Sequence, residues 1–386
     1  MIEKKRILHI LQNKNSLSFQ IGQEYIFFLL VYAMAERNDY EITIITPGYN
    51  PLLEKLKNHN VIIYYFDFFK WNIYKTIKRL QEFIEIKKFD LVHCHDFFSN
   101  FIAALALSNF PKKIILLGSR YSALFPQFLE FRQHFLKHIK AFLEKKIIDE
   151  NDFSFCITKN ILSDYLNAGI HPKKMTYIKP GIDYKSIQFN EEEVKKIRKR
   201  VIGIYTKEIK IVCLIGRFER LKNGFDIFAK IVQTMKIEHS DAPVKFAIYG
   251  EQSEALQNYL YMHSINDDVA VIENYYSPND VINAADIILM TYRYCDFPMQ
   301  LLKSQKFIKP AIVSDIPVLN EIVKDNCTGF VLPVADYISF AEKINLLVND
   351  NELYNKFCEN LKNQSQDYTL EKMLNKYMHY YKKYLK

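Results

Sequence analysis

The sequence predicts two doubly wound α/β domains, and three observations support this prediction. Short runs of β-branched residues alternate with stretches of helical periodicity along most of the 386 residues, a pattern typical of parallel sheets with helices on both faces. The composition, 49% hydrophobic and 25% charged, is that of a globular chain long enough for two or three domains. The longest apolar run, residues 25–35, is too short to span a bilayer.

The first half of the chain contains seven candidate strands and five candidate helices. The strands are rich in Ile, Val, Leu and Phe, and the helices carry apolar residues three and four positions apart. The predicted strands are residues 7–11, 41–46, 61–65, 90–94, 113–117, 153–156 and 175–178. The predicted helices are residues 23–37, 72–87, 98–107, 127–149 and 159–168.

A charge-rich stretch, EEEVKKIRKR at 191–200, separates this alternation from a second one and suggests a solvated connector. The second alternation predicts strands at 209–215, 244–249, 269–272, 287–290, 311–313 and 330–332. Its predicted helices are 223–235, 254–263, 298–307, 337–348, 352–363 and 370–385. We therefore expect a first domain at 1–190, a connector at 191–206, a second domain at 207–368, and a C-terminal helix at 369–386 that packs back toward the first domain.

Glycine is scarce, and its spacing excludes two common nucleotide-binding motifs. The chain has ten glycines, against about 27 at average usage, and the two nearest are Gly216 and Gly224. Neither GxGxxG nor GxxxxGK can therefore occur. The six cysteines are scattered without a CxxC pair, and no secretory apolar region is present at the N-terminus, so we expect a protein of the reducing cytoplasm.

The net charge of +8 lies entirely in the first half. Residues 1–190 hold 26 Lys and Arg against 18 Asp and Glu, whereas residues 191–386 hold 26 of each class. This excess favours an anionic partner for the first half, such as a membrane surface, a phosphorylated lipid or a nucleic acid. The aromatic residues among these cations have the spacing of a helical core, which disfavours nucleic acid.

The turn after predicted strand 209–215 is the first candidate binding site. It reads GRFERLK, in which Gly216 permits a tight exit from the strand and Arg217 and Lys222 flank the turn. Two cations at this spacing can bracket one diphosphate near a helix N-terminus. An ordinary basic loop gives the same pattern, so spacing alone leaves both interpretations open.

Longer motifs resemble the retaining glycosyltransferases of family 4 (group 1), which have the GT-B fold. In the second half, LIGRFERLKNGFDIF is similar to the family's donor-site opening, and FAIYGEQSEALQNYL to its strand ending in VGDGP. The stretch KPAIVSDIPVLNEIVKDNCTGFVLPVADYISFAEKI is similar to its KPVIASDVGGIPEIVKDGETGFLVPPGD segment. Weaker similarities in the first half include IGQEYIFFLLVYAMAER, FDLVHCHD and NAGIHPKKMTYIKPGID. The resemblance implies two Rossmann-like domains facing an interdomain cleft.

This resemblance assigns donor-binding residues in the second half. Arg217 and Lys222 match the two cations that contact the donor diphosphate, where they would oppose the charge that develops on the leaving group. No Asp-x-Asp triplet occurs, in keeping with a reaction that needs no metal and no other cofactor. The expected donor-binding residues are Gly216, Arg217, Lys222, Gly250, Glu251, Cys295, Asp296, Leu301 and Lys303.

Two motifs of the family are altered. Its Glu-x7-Glu carboxylates, which face the transferred sugar and the ribose, fall on Cys295 and Lys303, and a lysine cannot accept hydrogen bonds from ribose hydroxyls. Tyr121 takes the place of a histidine close to the reaction centre and is a candidate catalytic residue together with Arg217 and Lys222. The expected acceptor-side residues are Gly22, Gln23, His95, Ser119, Arg120 and Tyr121.

Two further features admit more than one interpretation. His93 and His95 would hold a metal only with a third ligand, which the sequence does not place, so a structural or acceptor-side role is favoured. The stretch 128–148 mixes aromatic residues with lysines. This mixture is found in helices that lie on membranes and equally in a helix that covers a sheet.

The sequence therefore predicts a glycosyltransferase that moves a sugar from a nucleotide-sugar to a glycan or lipid-linked acceptor, with retention, in the assembly of bacterial lipopolysaccharide or capsule. We expect it in the cytoplasm and peripheral on the inner face of the membrane, where the basic half would meet an anionic surface. The alternative is a catalytically silent GT-B subunit that binds a partner. The missing glutamates and Tyr121 favour that alternative.

Overall fold

The structure is a computed structural model that describes residues 4–12, 22–108, 110–122, 134–203, 208–216, 218–250, 253–295 and 297–386. The chain forms two compact units, Met1–Ile182 with Tyr368–Lys386, and Asp183–Asp367. The first unit therefore ends before the predicted boundary at 190. Within the described ranges, no helix has both the length and the apolar character that a membrane crossing needs.

The first unit is built on a parallel sheet. Its strands are β1 (Arg6–Ile10), β2 (Glu41–Thr46), β3 (Ile62–Tyr65), β4 (Leu91–Cys94), β5 (Ile115–Arg120), β6 (Phe153–Cys156) and β7 (Met175–Tyr177). Its helices are α1 (Gln23–Arg37), α2 (Pro51–Lys57), α3 (Ile73–Lys87), α4 (Phe97–Leu107), α5 (His134–Glu150) and α6 (Lys159–Asn167). The strand order over the described residues is β3-β2-β1-β4-β5-β6-β7, so it reverses between β1 and β4.

The second unit has the same plan. Its strands are β8 (Lys210–Ile215), β9 (Val244–Gly250), β10 (Val269–Glu273), β11 (Ile287–Met290), β12 (Ala311–Ser314) and β13 (Gly329–Leu332). Its helices are α7 (Glu191–Ile202), α8 (Phe225–Glu238), α9 (Glu254–Met262), α10 (Pro278–Ala284), α11 (Met299–Lys306), α12 (Pro317–Asn320), α13 (Tyr337–Asn349) and α14 (Asn351–Gln364). The parallel order β10-β9-β8-β11-β12-β13, again taken over the described residues, reverses between β8 and β11.

The central strands are buried on both faces because helices cover both sides of each sheet. Every residue of β4, β6, β11 and β12 is buried, as expected for parallel strands. Polar residues in these strands are therefore rare, and His93 and Ser154 must find partners inside the fold. Such residues mark the places where the core departs from simple apolar packing.

The C-terminal helix α15 (Leu370–Tyr384) belongs to the first unit. It packs against α1 and buries Tyr377 and Tyr381. The chain reaches it through backbone hydrogen bonds, in which Ile182 donates to Tyr368 and Leu370 donates to Ile182. Gly181 permits this approach, since a Cβ atom there would lie 2.4 Å from the carbonyl oxygen of Thr369.

The structure differs from the predicted elements mainly at β5 and α7. The sequence predicts a strand at 113–117, whereas β5 continues to Arg120, so residues 118–120 also belong to the strand. The charge run at 191–200 belongs to α7, a helix of the second unit that buries Ile197 and Val201. Arg198 anchors this helix by donating to Asp286 at 2.9 Å, which explains why the run is not a free connector.

Three short helices, α2, α10 and α12, are absent from the predicted set. Two of them carry the usual start signal, a capping side chain followed by proline, at Asn50–Pro51 and Ser277–Pro278. The predicted helix 127–149 corresponds to α5, which is described from His134 onward, and residues 123–133 lie outside the described residues.

We expect Gly224→Ala to destabilise the second unit by more than about 2 kcal/mol. Gly224 precedes α8 with φ +67, and a Cβ atom there would lie 1.9 Å from the carbonyl oxygen of Thr291. Denaturant unfolding measures the change in free energy. Gly48→Ala is the matched control because its Cβ would meet nothing within 4 Å. An equal loss in both variants would contradict the steric argument.

Candidate functional site

Three buried histidines meet where the strand order of the first sheet reverses. His9 lies in β1 opposite His93 of β4, and His95 follows the end of β4. Successive side chains of a strand alternate between faces, so His93 and His95 share one face with Ser119 and Tyr121 at the end of β5. Each of these five side chains is at most 4% exposed. We call His9, His93 and His95 the histidine cluster.

Hydrogen bonds join the histidine cluster to nearby hydroxyl groups. His9 Nδ1 lies 2.9 Å from His95 Nε2, and His95 Nδ1 lies 3.0 Å from the Tyr121 hydroxyl. His93 bonds Ser119 through Nε2 at 2.9 Å and Tyr381 of α15 through Nδ1. Because one atom of each pair must carry the proton, the tautomer of each ring depends on its neighbours.

Burial keeps the histidine cluster neutral. Desolvation lowers the pKa of His9 to about 3 and lowers the pKa values of His93 and His95 well below the usual range. Burial also raises the pKa values of Tyr121 and Tyr381 well above the usual range. At neutral pH the cluster and its tyrosines are therefore a network of uncharged groups.

The structure places a third histidine, His9, beside His93 and His95. Their ligand nitrogens lie within 4.8 Å of one another, and neutral imidazole is a common metal ligand. Five of the six ring nitrogens already have hydrogen-bond partners, so the arrangement fits a hydrogen-bond network better than a metal site. In the sequence, His9 stands out only because it is a polar residue among the apolar residues that end the strand RILHI.

Arg120 lies apart from the other predicted acceptor-side residues. It points to the opposite face of β5 from Ser119 and Tyr121, as strand alternation requires once residues 118–120 belong to β5. Its guanidinium donates to Asn100 Oδ1 at 2.7 Å and lies 3.8 Å from Glu144. Arg120 is therefore a partner of a separate buried polar cluster.

Gly22 lies at the N-terminus of α1 with φ +88, a conformation that favours glycine. The next carboxylate along the helix, Glu24, is 8% exposed, and its Oε2 atom would lie 3.4 Å from a Cβ atom on Gly22. Glu24 is therefore an acceptor-side candidate that the sequence does not single out. Four predicted site residues cannot be placed because they or their side chains lie outside the described residues: Gln23, Arg217, Glu251 and Asp296.

Two glycines let chain segments approach closely at the strand ends of the second unit. Gly216 follows β8 and Gly250 ends β9, its neighbour in the sheet. A Cβ atom on Gly216 would lie 2.4 Å from the Tyr292 hydroxyl, and one on Gly250 would lie 2.6 Å from the Gly216 carbonyl oxygen. These segments meet beside the reversal of strand order, where open α/β sheets bind ligands.

Lys222 lies in a loop that Arg293 fastens to α8. Arg293 donates two hydrogen bonds of 2.7 Å to Asp226 and one of 2.9 Å to the Leu221 carbonyl oxygen. Its backbone N–H donates to the Lys222 carbonyl oxygen at 2.9 Å. The Lys222 side chain is itself 42% exposed, with its ammonium 3.8 Å from Glu219. Arg293, which no motif of the sequence singles out, thus positions the backbone that carries Lys222.

The remaining predicted donor-binding residues lie on α11 and the segment before it. Lys303 and Leu301 are almost fully buried, whereas Cys295 is half-buried. Desolvation lowers the pKa of Lys303 to about 8. Its ammonium is therefore charged at neutral pH and loses its proton in mildly alkaline solution.

Two family models match the chain. Residues 22–186 match Glycosyltransferase Family 4, and residues 194–364 match Glycosyl transferases group 1.

Individual proteins match over most of their length. A 41.2 kDa protein of the cps region of Klebsiella pneumoniae is 23% identical over 78% of this chain and 81% of its own. An Escherichia coli UDP-Gal:alpha-D-GlcNAc-diphosphoundecaprenol alpha-1,3-galactosyltransferase is 21% identical over 75% and 74%. The crystal structure of Anabaena HepE with UDP and glucose superposes with a TM-score of 0.79 at 13% identity, covering 98% of this chain and all of that one.

Acid should destabilise the first unit through the histidine cluster. Its folded pKa values lie far below the ordinary 6.5. Below about pH 6.5 the unfolded chain therefore binds protons that the folded cluster does not. The free energy of unfolding should then fall by up to about 1.4 kcal/mol per pH unit for each histidine, measured by urea unfolding between pH 7 and 5.

Replacing one histidine of the cluster measures how much that residue contributes to the pH dependence of the free energy of unfolding. His9→Gln should reduce the pH slope by about 1.4 kcal/mol per unit, because one unmatched titration is removed. His379→Gln, at an exposed position of α15 in the same unit, should keep the wild-type slope. A slope unchanged in His9→Gln would rule out this source of acid sensitivity.

Proposed function

The chain belongs to the group 1 glycosyltransferases with the GT-B fold, and on that premise we propose that it transfers a sugar from a nucleotide-sugar to a glycan or lipid-linked acceptor. The setting we propose is the assembly of a bacterial surface polysaccharide, in the cytoplasm at the inner face of the membrane. We also propose retention of the anomeric configuration, as the resemblance to retaining enzymes implies.

The observation that carries this proposal is the loop after β8 that contains Lys222, because Arg293 holds the backbone of this loop by hydrogen bonds. Transfer breaks the bond between the sugar and the diphosphate, and negative charge builds up on the departing nucleoside diphosphate. A cation held ready at that place stabilises the transition state more than the ground state. Arg293 and Asp226 fix the loop backbone, so little reorganisation is needed, and Arg217 would supply the second cation.

The first unit would bind the acceptor at the carboxyl edge of its sheet. His95, Ser119 and Tyr121 are buried there, so they would support the acceptor surface from within. Their hydrogen bonds hold the strand ends in one arrangement. Gly22, at the start of α1, is half-buried and would form part of the surface itself, whereas Glu24 is buried and would support it.

The named relatives support the substrate classes. The Escherichia coli relative uses a UDP-sugar and an undecaprenol-linked acceptor by its name, and the Klebsiella pneumoniae relative comes from a cps region. The Anabaena structure holds UDP. We therefore take a uridine-diphosphate sugar as the first donor to test and a polyprenol-linked glycan as the first acceptor.

The second candidate is a silent GT-B subunit that binds a nucleotide or a partner without transfer. Cys295 and Lys303 favour it, because they stand where the resemblance expects two glutamates. The two candidates differ in turnover. Release of the nucleotide from any of UDP-, GDP-, ADP- and CMP-sugars (UDP, GDP or ADP from the diphosphate sugars, CMP from a CMP-sugar) supports the transferase, whereas binding without release on every tested acceptor supports the silent subunit.

Lys222→Ala should weaken donor binding about 10- to 100-fold, the effect of one lost charge-assisted hydrogen bond. Calorimetric titration with the nucleotide-sugar measures it. Lys245→Ala is the matched control, because Lys245 is an exposed lysine near the start of β9, at the opposite edge of the same sheet. Equal affinities of the two variants would contradict a donor site at Gly216–Lys222.

Donor affinity should also fall about tenfold between pH 7 and 9 if Lys303 contacts the donor phosphates. The pKa of Lys303 is lowered to about 8 by burial, so its positive charge is present below pH 8 and lost above it. Lys303→Met should abolish this pH dependence, and Lys303→Arg should retain charge and affinity to pH 9. A Lys303→Met variant with the wild-type pH profile would place the titrating group elsewhere.

A further inference from the structure

An exposed surface of aromatic and basic residues lies on the first unit beside its edge strand β3. We call it the aromatic–basic surface. Its apolar members, each 40–75% exposed, are Phe69, Trp71, Ile73 and Tyr74, which lie between the end of β3 and the first turn of α3. Its cations are the exposed Lys70, Lys75, Lys78 and Arg79.

These apolar side chains are unusually concentrated. Among the described residues, twenty large hydrophobic side chains are exposed, and four of them fall within residues 69–74. Single exposed apolar residues are normal on a protein surface, but a contiguous group marks an interaction site.

The segment that displays this surface is firmly held. The side chain of Gln12 donates to the Phe66 carbonyl oxygen and accepts from the Phe68 N–H, each at 2.9 Å. The Gln12 backbone N–H donates to Asp96 at 2.6 Å. Phe68 is fully buried, and the ring of Phe69 stacks on Phe98 at 4.3 Å. The segment from Phe66 to Phe69 is therefore held in place by two hydrogen bonds of the Gln12 side chain and by ring packing.

The charge of the surface is positive. Between residues 62 and 79 the sequence contains four cations and a single acid, Asp67, and the Asp67 carboxylate accepts a hydrogen bond from the Phe69 N–H. The Arg79 guanidinium lies 3.7 Å from the centroid of the Trp71 ring. Two copies of such a surface would repel each other, whereas an anionic surface would be attracted.

We propose that the aromatic–basic surface docks on an anionic lipid bilayer. Trp and Tyr rings, which are apolar with one polar atom, sit at the level of lipid headgroups, and lysines and arginines beside them bind the negative surface. This is a different surface from the stretch 128–148. Docking would bring the acceptor edge of the first unit toward the membrane, and only this last consequence rests on the proposed function.

The chain contains one tryptophan, so Trp71 reports directly on its own environment. With vesicles of phosphatidylglycerol and phosphatidylcholine, its emission should shift to shorter wavelength, and headgroup-proximal brominated lipids should quench it. Vesicles of phosphatidylcholine alone should give neither change. A shift without quenching would place Trp71 in a protein contact and would overturn the proposal.

Paired variants test whether vesicle binding depends on this surface or on the positive charge of the first unit as a whole. Lys75→Gln/Lys78→Gln should lower vesicle partitioning about fivefold for each lysine. Lys112→Gln/Lys113→Gln removes the same charge from two exposed lysines that precede β5 and should retain wild-type partitioning. Tyr74→Ser should weaken partitioning, and Tyr261→Ser, a tyrosine of equal exposure in the second unit, should not.

Equal loss in the two lysine pairs, or equal binding to neutral and anionic vesicles, would overturn the proposal. Vesicle binding is measured without donor or acceptor, whereas the Lys222→Ala titration is carried out without lipid. Failure of docking therefore leaves the transferase proposal standing, and failure of donor binding leaves the docking proposal standing.

Discussion

The reversal of strand order beside the first strand of each sheet determines where the candidate functional groups lie. All described strands of a unit are parallel, so their carboxyl ends meet at one edge. At β1/β4 and at β8/β11 the connections leave in opposite directions, which opens a crevice at that edge. The first unit places His9 and His93 at this reversal, and the second places Gly216 and the segment of Tyr292 there.

The candidate functional groups at the carboxyl edges of the two sheets differ in charge because they differ in burial. In the first unit the groups are buried, so they remain uncharged, and neutral histidines and tyrosines satisfy one another by hydrogen bonds. In the second unit Lys222 stays near solvent, where a charge carries little desolvation cost, and its backbone is held by the Arg293–Asp226 pair. Lys303 combines burial with charge, and its lowered pKa is the consequence.

Periodicity predicted the strand and helix order because it depends on the burial of whole faces. It did not predict that β5 continues through Arg120, since Gly118 and Ser119 have low strand propensity and the strand is extended by pairing of Gly118 with β4 and of residues 118–120 with β6. The family resemblance predicted Gly216, Gly250 and Lys222 near strand ends. The contacts of His9 and Arg293 join segments that are distant in the sequence, so no local pattern predicts them. The only signal for such a residue is a polar side chain in an unexpected place.

Gln12 shows how one buried amide can join two surfaces of the first unit. It follows β1, and it holds both the segment that carries Phe69 and Trp71 and the N-cap Asp96 of α4. An amide can donate and accept at once, so a single side chain satisfies two backbone groups that would otherwise be buried without partners. The segment that leads into the aromatic–basic surface is therefore bound to the residue that follows β1 at the carboxyl edge of the sheet.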